Sequence, residues 1–131
     1  MQIGKITQVM GPVVDVQFPE RPLPVIKTAL QADNHGKKAV MEVAQHIGDD
    51  TVRCIMLSSS EGLQKDMPVL STGSGIEVPV GDQNLGRLFN VLGDTIDGKE
   101  SLADAKRWEI HRKPPKFTDQ SPVQEILETG I

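Results

Sequence analysis

Apolar and polar positions alternate with a period of two through the first eighty residues, in short runs broken by Gly, Pro, Asn and Asp. "IGKITQV" is the first such run, and Gly11-Pro12 is a turn. In "VVDVQF" Val14, Val16 and Phe18 share one face, while Val13, Asp15 and Gln17 share the other. After the proline-rich bend "PERPLP" comes "VIKTALQA", and the turn "DNHGK" leads into "AVMEVAQHI". There Met41, Val43 and Ile47 are expected on the inner face. "TVRCIML", "PVLSTG" and "GIEVPV" complete a set of six or seven short strands, and "GSG" at 73–75 reads as a hairpin turn. β-branched residues suit a pleated, half-buried surface, and the turn residues punctuate it. Closely spaced strands with half-apolar faces predict a small closed barrel, because closure removes exposed strand edges.

The pattern changes beyond residue 80. "RLFNVLG" is short and bounded by glycines, so it predicts a strand. "GDTIDGKE" is a turn in which Asp caps nearby backbone, and "RWEI" predicts a short strand. "HRKPPKFTDQ" is an extended connector, since proline removes a donor and biases its predecessor away from helix. Ser121 as N-cap, Pro122 at the first helical position and Gln124 closing a capping box predict a helix start. Apolar residues here, including Val91, Leu92, Ile96, Leu102, Trp108, Ile110, Phe117, Ile126 and Leu127, are too few for a core of their own. They must pack on the barrel, on another chain or on sequence beyond this stretch.

The 131 residues carry a net charge of -4 and only 3% aromatics. That balance argues against nucleic acid, which calls for clustered cations and stacking rings. The basic cluster "HRKPPK" at 111–116 reads as a solvated linker. No stretch approaches the ~20 apolar residues of a membrane-spanning helix, and the first residues lack the pattern of a signal or transit peptide. The expected mature start is Met1, in a reducing compartment. Cys54 is the single cysteine and sits in a strand-like run, so a buried inert thiol is expected.

"VPVGDQNLGRL" at 78–88 comes close to the phosphate-cradling pattern G-x-x-x-x-G-K-[ST]. Arg87 stands at the Lys position and Leu88 at the hydroxyl position, Asp82 puts negative charge in the cradle, and a β-like run follows in place of a helix. The spacing of Gly81 and Gly86 therefore points to tight turns at a boundary between structural units. Asp94 and Asp97 lack further oxygen ligands for a metal, and His35, His46 and His111 lack metal spacing. No general acid–base pair stands out.

The stretches "IGKITQVMGPVVDVQFPE", "IEVPVGDQNLGRLFNVLGDTIDG", "RWEIHRKPPKF" and "EILETGI" resemble, in this order, the catalytic β subunit family of F-type ATP synthases. "VPVG", "LGR", "NVLG" and "ID" mark the rotary-ATPase superfamily, and "IHRKPP" and "ETGI" favour β over its non-catalytic α relative. "GLQKDMPV" stands where the family usually has an Arg-Gly pair before the next strand, so the local turn is expected to differ. The resemblance implies a mainly β fold: a six-stranded closed barrel over 1–80, then the first, incomplete segment of an α/β nucleotide-binding domain over 81–131. It makes Gly81, Gly86, Arg87 and Gly93 a structural domain junction. No catalytic, nucleotide-binding or metal residue falls in the chain, and the phosphate loop is expected past Ile131. The intact subunit would make ATP from ADP and phosphate under a proton gradient, with Mg-ATP/ADP bound. The implied partners are α subunits in an alternating hexameric ring and a central stalk subunit, on the cytoplasmic face of a bacterial inner membrane and without insertion into it. Two other readings stay open: a free-standing β-barrel interaction module, and the related ATPase of a secretion or flagellar export machine.

Overall fold

The structure is a computed structural model that describes residues 2–126 and 128. Eight strands follow in order: β1 (Ile3–Met10), β2 (Val13–Gln17), β3 (Ala29–Asn34), β4 (Lys37–His46), β5 (Thr51–Met56), β6 (Pro68–Ser71), β7 (Glu77–Pro79) and β8 (Arg107–Glu109). The first six form a closed antiparallel barrel in the order β1-β2-β5-β4-β3-β6, with β6 pairing back onto β1. β7 and β8 form a separate two-stranded sheet.

Local chemistry sets the hairpins. Gly11, with φ 58°, makes the turn between Met10 and Val13, which pair across it. His35 and Gly36 both take positive φ, as a two-residue hairpin of matching twist requires, and the Gly36 N–H donates to Asp33 Oδ1 at 2.8 Å. The core is the inner face of the alternating pattern. Ile6, Val14, Val16, Phe18, Leu30, Met41, Val43, Val52, Cys54 and Val69 are all fully buried.

Two bulges shift the phase of that pattern. In β1 the register slips between Ile6 and Gln8, so Ile6 points inward before the slip and Val9 packs against the core after it. In β4 it slips between Val43 and Gln45. One unpaired residue turns the following side chains over, and Ile47, expected inside, is exposed.

Further differences concern the chain after the barrel. "GSG" is not a hairpin turn: β6 pairs with β1 and β3, whereas β7 pairs only with β8, so the segment carries the chain off the barrel. "RLFNVLG" is not a strand but a loop with one isolated bridge, Phe89 to Thr95. Asn90 prevents further pairing, because its side-chain oxygen accepts the Leu92 and Asp94 N–H groups and turns the chain at once. β8 forms where expected. No helix starts at Ser121: its Oγ accepts the Val123 N–H at 3.2 Å in a local turn. With no packing surface under residues 121–126, a capping signal alone does not outweigh the cost of nucleating a helix. Leu127 and Thr129–Ile131 lie outside the described residues. Val91, Phe117 and Ile126 remain largely exposed, with no core assembled around them.

Phe18 plugs the barrel at 1% exposure. Phe18→Ala is expected to lower unfolding free energy by about 3–5 kcal/mol through lost transfer energy and an unfilled cavity, read from urea denaturation. Burial pushes the Cys54 thiol up to about 12, with nearby Asp15 adding to the effect. The neutral thiol should therefore resist Ellman's reagent in the native chain around pH 8 and react at once when the chain is unfolded.

Candidate functional site

The residues singled out as a junction, Gly81, Gly86, Arg87 and Gly93, lie in the loop system between β7 and β8. β7 anchors that system. Val78 pairs with Trp108, Val80 N–H donates to Lys106 O at 2.8 Å, and Ile110 N–H donates to Ile76 O at 2.9 Å.

Gly81 takes φ 119° and opens a single 3₁₀ turn, Asp82–Asn84. Backbone donors in this turn are already used: Asn84 N–H donates to Gly81 O, Leu85 N–H to Asp82 O and Arg87 N–H to Asn84 O. Gly86, with φ 68°, redirects the chain so that Arg87 points at Asp97. The Arg87 guanidinium grips that carboxylate with both arms, Nε to Oδ2 at 2.6 Å and an Nη to Oδ1 at 3.1 Å. It also donates to Glu100 O at 2.6 Å. Both side chains are only 11% and 12% exposed. The Arg87 bond holds the Asp97 carboxyl well below the usual carboxylate range, helped by N–H groups of Lys99 and Leu88. The same bond raises the Arg87 guanidinium.

Gly93 stands at the tightest approach. It has φ 75°, and a Cβ there would come within 2.8 Å of Pro79 Cδ and 3.1 Å of the Val78 Cα. Arg107 lies beside it, donating to Glu77 O at 3.1 Å and Leu92 O at 3.3 Å. Thus Gly93 and Arg107 clamp the 87–97 loop onto β7. Asp94 is held by Asn90 rather than capping its own backbone, whereas Asp97 does accept the Lys99 N–H as a turn residue would.

This arrangement does not fit a nucleotide phosphate. The N–H groups at 84, 85 and 87 have intramolecular acceptors, Arg87 is neutralised by Asp97, and Asp82 is acidic. A cleft of about 290 Å³ between barrel and junction exposes Lys38 and Arg107 against Glu77 and Asp94, a balanced set with no bias toward an anion. What the junction does chemically is mechanical: paired strands, a two-armed ion pair and a glycine contact fix the direction in which the chain leaves the barrel.

Sequence reasoning missed several contributors. Arg107 and Asn90 act through backbone carbonyls and N–H groups that no motif names, although Asn near Gly93 is a turn signal. Asp15, expected on the outer face, is only 3% exposed. Arg53, its cross-strand neighbour, lies over it with bonds of 2.8 and 2.9 Å. The register of β2 on β5 decides that pairing.

The fold is that of a closed six-stranded antiparallel barrel domain whose last strand leads into a connector held by polar contacts. The model for the beta-barrel domain of the ATP synthase alpha/beta family matches residues 6–73, just over half of the 131 residues. The chain belongs to the ATP synthase alpha/beta family.

The Asp97 direction fixes a sign. A carboxylate depressed on folding adds stability that is present above its unfolded value, near 3.9, and is lost as pH falls through the lower folded value. Carbon-detected NMR titration should show Asp97 ionising below ordinary aspartates, and Arg87→Gln should move it back up toward them.

Proposed function

We propose that this chain is the N-terminal part of the catalytic β subunit of an F-type ATP synthase. The observation that carries the reading is a closed barrel of that family followed by the ordered series "VPVG", "LGR", "NVLG" and "ID". "IHRKPP" and "ETGI" favour β over the α relative. On this reading the barrel, roughly residues 1–80, joins α-subunit barrels in an alternating collar, and residues 81–131 begin the nucleotide-binding domain. The collar must carry load while a central stalk turns. A barrel suits that task physically, because every strand is paired on both sides and no edge can open.

Catalysis belongs to the longer subunit, which would bind Mg-ATP/ADP and make ATP from ADP and phosphate at the cost of a proton gradient. Its place is the cytoplasmic face of a bacterial inner membrane, held there peripherally. Residues 81–97 contribute position: Arg87–Asp97 and the Gly93–Arg107 clamp orient the chain entering the catalytic domain.

A second reading has its own support. The barrel buries a complete core without help from the rest of the chain, so it also suits a free-standing protein-interaction module.

Native mass spectrometry of the chain mixed with purified F-type α subunits separates the two. The collar reading expects stoichiometric α–chain complexes. Absence of any complex, under conditions where full-length β assembles, overturns it in favour of the module. Calorimetric titration of the chain alone with Mg-ATP should show no saturable binding, and low-micromolar binding would refute the assignment of the nucleotide site to the longer subunit.

A further inference from the structure

β8 ends at Glu109, and two residues later the chain touches the barrel through His111 and Glu42. Besides the Ile110 N–H bond to Ile76 O, two side-chain contacts hold it. Glu109 Oε1 accepts the Gly75 N–H at 3.1 Å, and His111 Nε2 lies 2.9 Å from Glu42 Oε2 on β4. Among the described residues, no hydrogen bond or ion pair returns to the barrel from any residue beyond His111. The imidazole therefore sits where a docked segment becomes a free one. The arm after it, through "RKPPK" to Phe117 and Val123, is exposed throughout.

We propose that His111 and Glu42 form a pH-sensitive latch that straps the start of this arm to the barrel and releases it as the imidazole loses its proton. With both ring nitrogens protonated, the contact joins opposite full charges and Nε2 always carries a proton to donate, whereas a neutral imidazole offers the carboxylate a hydrogen bond in only one of its two tautomers. The side chains are 34% and 24% exposed, shielded enough for the contact to matter and open enough for protons to exchange. Histidine as a residue type changes charge in the physiological range.

The other charges around His111 are three cations against one anion, and together they oppose its protonation. Lys27, from the loop before β3, lies across a shared hollow, with Arg112 and Lys113 on the arm itself. Glu109 opposes them from β8. Salt screens exposed charges over roughly 10 Å at 0.1 M, so the latch requires the direct 2.9 Å contact to outweigh these neighbours.

A reporter is built in. The Arg112 guanidinium lies 3.8 Å from the centre of the Trp108 ring, and Lys106 lies over the same ring at 5.5 Å. Trp108 is the single tryptophan. Because Arg112 follows His111 directly, release of the latch frees Arg112 to leave the ring face, and Trp108 becomes more accessible.

The test is acrylamide quenching of Trp108 at constant ionic strength, at about pH 5.5 and about pH 8, on either side of the imidazole range. The expected result is stronger quenching at the higher pH. Glu42→Gln and His111→Gln should each lose that step and be quenched at both pH values as the native chain is at the higher one. Both residues lie at the surface, and circular dichroism confirms that each variant keeps its strands. Equal quenching of the native chain at both pH values, or a step that survives both substitutions, overturns the latch.

Discussion

Closure of the barrel at the seam between β1 and β6 is the constraint on which the rest of the structure depends. Gly4 pairs with Val69 there, and the backbone comes so near to β2 that a Cβ at Gly4 would stand 2.8 Å from both Gln17 O and Val16 Cγ1. Only a residue without a side chain permits that approach. Once β6 is fixed between β1 and β3, each of the six strands has two neighbours, and the inward residues meet in one core. An open sheet of the same strands would expose two edges and leave one face half covered.

Closure also decides where the chain exits. Ser71 still pairs with Leu30, and Thr72 N–H donates to Ala29 O at 3.1 Å, so the chain stays tied to β3 until the glycines at 73 and 75. From that anchored point the junction is built by polar contacts rather than by a second core. Arg87 with Asp97, Arg107 with two carbonyls, and Asn90 with two N–H groups do the work that apolar packing does in the barrel. Such contacts give direction at small cost in buried surface. This explains how a stretch with Val91, Ile96 and Leu85 exposed still holds a defined path.

The two parts therefore suit different mechanical roles. The barrel is stabilised by non-directional burial and by a ladder without free edges, and it resists deformation as a unit. The junction and the arm are held by a few discrete charged contacts, each of which a change of charge weakens. The barrel is the part of the chain that the family model covers.

The sequence by itself determined the strand alternation, the hairpin turns at Gly11 and His35-Gly36 and the barrel class. Each of these is local chemistry: period-two burial or positive φ. Tertiary structure alone decided the rest. The bulges that expose Ile47 and turn Val9 inward arise from pairing with neighbouring strands. Asp15 is buried because register brings Arg53 across from it, and "RLFNVLG" becomes a loop because Asn90 captures its own backbone. The helix signal at Ser121 goes unused because, among the described residues, none packs beneath it. Arg87 finds Asp97 10 residues away, Arg107 finds the Glu77 carbonyl 30 away, and His111 finds Glu42 69 away. Pairings at such range depend on how the chain closes, and closure is a property of all six strands together.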